Sequence, residues 1–71
     1  MENLISAIAK LNRVASAMRF ENIDEFNADK RFCECLIDEM KNLFSALTDE
    51  QHKIIDSTYY FTLGFYDSIV K

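Results

Sequence analysis

The sequence contains no proline and no tryptophan, and its only glycine is Gly64. An average chain of this length would carry several of each turn residue, so long loops are excluded and helices joined by short turns are favoured. One glycine cannot build a Walker-type or dinucleotide-binding loop, which needs several at fixed spacing. The single histidine, His52, has no second imidazole to share a metal and no identifiable nucleophile to activate. Only two cysteines occur, Cys33 and Cys35. On a helix they point about 200° apart, so they cannot bridge one another without breaking it. A secreted disulfide scaffold would carry more cysteines at wider spacing, and reduced thiols in a cytoplasmic protein are the expectation. A C-x-C pair with one His also falls short of a four-ligand zinc site.

Long apolar runs are missing too. The longest uncharged stretch near the end, Ser57 to Tyr66, is bounded by Asp56 and Asp67. It is half of the roughly 20 residues needed to cross a bilayer. The first residues carry Glu2, Lys10 and Arg13 and resemble no secretory leader. A soluble, cytoplasmic protein without membrane contact is expected.

Apolar residues nevertheless make up 49% of the 71, with six Phe and three Tyr. That exceeds what a disordered chain contains, and one small domain, residues 1–71, should fold. A single core at this size supplies only ~3–5 kcal/mol, and natural examples often add a metal, a disulfide or a second chain. The net charge is −4, unevenly placed. Lys10, Arg13 and Arg19 make the first twenty residues basic, whereas Glu21, Asp24, Glu25 and Asp29 follow with no base among them. An acidic total argues against nucleic-acid binding, which draws its affinity from clustered Lys and Arg.

Hydrophobic periodicity predicts an all-α fold, a three-helix bundle with helices over about 2–19, 23 or 28 to 47, and 49–70. Leu4, Ile8, Leu11, Ala15 and Met18 alternate spacings of four and three, which is one helical face. Cys33, Leu36, Met40, Leu43 and Leu47 repeat that stripe, with Cys35 off it. The second helix has two possible N-caps, Asn22 (with Glu25 three later) and Asn27. Thr48-Asp49-Glu50-Gln51 is a capping box opening the third helix. Its apolar residues from Ile54 to Val70 project onto one arc of roughly 200°, wider than a single neighbour needs. This predicts a helix wedged between two others, or one that also covers a partner. Residues 58–66 are rich in strand-formers, but the chain offers no second strand to pair with them.

No catalytic constellation emerges. Glu34, Asp38 and Glu39 read as a solvated helix face, because a carboxylate metal site in a bundle would need Glu-x-x-His motifs on facing helices. Neither a catalytic residue, a metal, a cofactor nor a small-molecule substrate is expected. Binding remains. The sequence points to a small acidic regulator, adaptor or inhibitor that contacts another protein, or dimerises with itself, through the third helix. The candidate contact residues are Tyr59, Tyr60, Leu63 and Val70, since Tyr offers large apolar area with a polar tip. Phe61, Phe65 and Tyr66 are assigned to the core. Two alternatives use charge: a nucleic-acid-associated regulator acting through Lys10, Arg13 and Arg19, or an acidic inhibitor presenting Glu21, Asp24, Glu25 and Asp29 to a nucleic-acid enzyme.

Overall fold

A computed structural model describes the whole chain, Met1–Lys71, as three helices. They are α1 (Glu2–Ser16), α2 (Ile23–Ser45) and α3 (Asp49–Val70). No strand forms, so the aromatic stretch 58–66 is helical. The bundle is elongated, 42 × 17 × 16 Å.

Each boundary has a local cause. α1 ends at Ser16, three residues short of the expected end. There the Ser16 hydroxyl donates to the Asn12 carbonyl (2.6 Å), while Ala17 and Met18 donate to Val14 and Ala15 in a tightened last turn. Arg19 is therefore in the turn, and the basic face of α1 shrinks to Lys10 and Arg13. Of the two possible starts for α2, Asn22 is the one used: its side chain accepts from the Glu25 amide (3.1 Å). Phe20 packs on Phe26 with ring centroids 5.0 Å apart and planes tilted by 38°. That contact resembles a hydrophobic staple and fixes the entry angle of the chain. α2 stops at Ser45, and Ala46 to Thr48 form a three-residue turn. Both halves of the capping box close at α3: Gln51 N–H donates to Thr48 Oγ1 (3.2 Å), and Thr48 N–H donates to Gln51 Oε1 (3.1 Å).

The stripe of α1 is buried throughout, from Leu4 through Ala7, Ile8, Leu11 and Ala15 to Met18. Cys33, Leu36 and Met40 meet it from α2, and Ile55, Tyr59, Thr62 and Tyr66 from α3. α1, rather than α3, is the central helix: it packs against both others, whereas α2 and α3 touch only lightly. Length explains why two further devices are needed. At about 1.5 Å per residue, α1 is roughly 22 Å long and cannot cover two helices of roughly 35 Å. Where the α2–α3 turn closes the hairpin, an aromatic stack joins the two helices instead.

Candidate functional site

Phe44 is the middle of that stack. Tyr59 lies parallel to its ring (3.9 Å between centroids, 3° between planes), His52 stacks at 4.5 Å, and Tyr60 meets it edge-on at 5.8 Å. His52 Nε2 also donates to the Phe44 carbonyl near the end of α2, which accepts from the Leu47 amide as well (3.2 Å). A carbonyl only accepts, so Nε2 is the donor in this contact. His52 is thus half-buried and capping, with one ring face and one nitrogen committed to structure.

At the other end, Tyr66 Oη donates to the Lys30 carbonyl (3.4 Å) and ties α3 to α2. Tyr66 is held protonated, pushed up to about 12, first by burial and then by Cys33, Glu34 and Asp67 beside it. Burial likewise pushes the Cys33 thiol up to about 11, helped by Asp29 and Glu34. Neither is a nucleophile near neutral pH, since only the thiolate attacks. Cys35 is exposed, on the opposite side of α2 from the core.

Between these ties α2 and α3 leave an open groove of about 670 Å³, walled by Glu34, Asp38 and Lys41 on one side and Leu63, Gly64 and Asp67 on the other. Its acids do not converge, and no three His, Cys, Asp or Glu side chains in the molecule are grouped to hold a metal ion. No helix is long and apolar enough to cross a membrane.

The four contact residues read from the sequence separate in the structure. Tyr59 is 4% exposed and belongs to the core. Leu63 and Val70 are half-buried against it. Tyr60 is 57% exposed and roofs the aromatic stack. Phe61, assigned to the core, is instead 70% exposed, and Ile54 is 68% exposed. Phe65 is half-buried.

The physical reason lies in how the wide arc of α3 divides. It consists of two adjacent stripes with the same four-three-four spacing: Ile55, Tyr59, Thr62 and Tyr66, and beside them Ile54, Thr58, Phe61 and Phe65. Phe44 and Lys30 hold the flank of α3 bearing His52, Tyr59 and Tyr66 against α2. At 100° per residue, Phe61 lies some 160° around the helix from Leu63, on the flank turned away from α2. A 15-residue α1 covers the first stripe and leaves Ile54, Thr58 and Phe61 of the second open, with Phe65 half-buried at its end. The signal was present in the sequence as two registers where one broad arc was read.

The charged candidates are exposed except Asp29, which is half-buried beside Cys33. Lys10 and Arg13 are exposed on α1 and Arg19 on the following turn. Glu21 precedes α2, and Asp24 and Glu25 sit in its first turn, where carboxylates favour the positive end of the helix dipole. The chain matches no known family model, no curated protein and no solved structure at a significant level.

Proposed function

We propose that this chain is a small regulatory adaptor or inhibitor that acts by binding protein, and that its contact surface is the open flank of α3. One observation carries the reading. Ile54 and Phe61, two turns apart on one face, expose most of their side chains although the core of the same helix lies directly beside them. Large apolar groups in water cost about 25 cal/mol per Å² relative to burial, and contiguous exposed patches mark interaction sites. Aromatic anchors on one helical face are also what a helix-in-groove or helix-pair interface uses.

Comparative affinity capture tests it. Wild-type and Phe61→Glu chains serve as baits, with circular dichroism verifying that both are equally helical. A partner retained by wild type and lost from Phe61→Glu supports the reading. Partners retained equally by both baits place the contact surface elsewhere.

A further inference from the structure

The flank of α3 carries a pattern that says what could cover it. Written as a heptad, Ile54 and Phe61 occupy d positions and Thr58 and Phe65 occupy a positions. The neighbouring g positions are Glu50, Ser57, Gly64 and Lys71. Gly64 is the only glycine of the chain and lies inside a helix, where glycine is about 1 kcal/mol worse than alanine. It stands between the α2–α3 groove and the open flank, yet neither backbone nor packing within the chain requires it: its φ is negative, and a Cβ built there would meet no atom within 4 Å. A small residue on an open helix face does have a use when a second backbone must approach closely.

We infer that the flank is covered by a second copy of this chain, α3 against α3 in antiparallel orientation, with the two-fold axis near Tyr60. The inference rests on the reading of this flank as a contact surface. Tyr60 is close to the midpoint of α3, so the whole helix is used. In this register Thr58 faces Phe61 of the other copy, a small residue against a large one, and Ile54 faces Phe65. Ser57 faces Gly64, which places the unexplained glycine at the closest approach. Glu50 faces Lys71, and the two-fold repeats that pair at the other end. Between these ends the stretch Ser57 to Tyr66 has no charge, so two copies each carrying −4 meet along a face that is neutral in its middle and complementary at its ends. Lys71 is exposed and held only by Asp67 four residues back (3.3 Å), a surface pair of little strength. A parallel pair would instead set Glu50 near Glu50 and Lys71 near Lys71, like charges that specify against it. Ile55, Tyr59, Thr62 and Tyr66 stay in the core of each copy, and no helix need open.

Sedimentation equilibrium of the full chain with reductant, over a concentration series, is the test. Wild type is expected to be a dimer that dissociates on dilution. Phe61→Glu is expected to be a monomer of unchanged helicity. Glu50→Lys should weaken association about tenfold, and adding Lys71→Glu to it should restore most of the loss. In a Cys35→Ser background, a mixture of Ser57→Cys and Gly64→Cys chains should cross-link on oxidation faster than either alone. A wild type that is monomeric throughout overturns the inference, as does a dimer indifferent to Phe61→Glu. Cross-linking fastest within the Ser57→Cys chain alone would also overturn it, because that requires parallel helices. A monomeric wild type whose Phe61-dependent capture of another protein persists removes self-pairing only. A monomer without such capture removes the contact-surface reading as well.

Discussion

Thr62 offers a quantitative check on the core. It is 0% exposed, it sits in the middle of α3, and its hydroxyl has no hydrogen-bond partner. A hydroxyl taken from water without compensation costs roughly 1–3 kcal/mol by mutational measure. Valine has the same branched shape with a methyl in place of the hydroxyl, and its helix propensity is close to that of threonine. Thr62→Val therefore removes the desolvation cost without opening a cavity or straining the backbone, and should stabilise the fold by about 1–2 kcal/mol. For a domain of this size each kcal/mol moves Tm by roughly 4–8 °C, so the change is well within reach of a thermal scan. Urea unfolding followed by far-UV circular dichroism gives the same quantity, provided the m-value is unchanged. Thr62→Ala is the control: it also removes the lone hydroxyl but leaves a void, and should be neutral or destabilising. A Thr62→Val chain that is less stable than wild type would refute the reasoning, since it would mean the hydroxyl is satisfied in the folded state.

Other elements make similar claims. Thr48→Ala removes the hydroxyl that receives the Gln51 amide and should cost about 1 kcal/mol in urea unfolding. His52→Ala loses both the bond to the Phe44 carbonyl and one face of the stack, and should cost roughly 1–2 kcal/mol by the same assay. Stability should also fall in alkali. Cys33 is raised from 9.0 to about 11 and Tyr66 from 10.0 to about 12, so the folded chain keeps protons that the unfolded chain releases. Their contribution is complete below pH ~9 and is lost as pH rises from there to ~12, by up to roughly 3 kcal/mol for each group, less than additively because they are neighbours. A pH series of urea midpoints should show that decline, and Cys33→Ala should delay its onset by about one pH unit.

The sequence was most readable where the apolar stripe is narrow enough for the neighbouring helices to cover it whole. Leu4, Ile8, Leu11, Ala15 and Met18 in α1 and Cys33, Leu36 and Met40 in α2 are all buried as their spacing predicts. So are the caps legible: Thr48 and Gln51 close the box that their order announces. Periodicity failed on α3 for a definite reason. It reports which residues are apolar, and says nothing of how much of that arc the neighbours cover. Phe is more apolar than Tyr, so Phe61 looked like core and Tyr59 like surface. The reverse holds because Tyr59 lies flat on Phe44 and Tyr66 finds a carbonyl at Lys30, contacts 15 and 36 residues apart in the chain that no local pattern encodes. The early end of α1 was hidden similarly, since Ser16 bonding back to Asn12 competes with continued helix only once the following turn has somewhere to go.

Site-specific photo-crosslinking tests the central claim, that the open flank of α3 is where this protein makes contact. A photoreactive phenylalanine analogue would be placed at position 61, and in separate chains at position 24 on the acidic turn and position 10 on the basic face of α1. The account predicts that position 61 yields discrete adducts, with a second copy or with another protein, and that positions 24 and 10 yield none. Adducts confined to position 24 or 10 would contradict it, and would move the function to the charged surfaces.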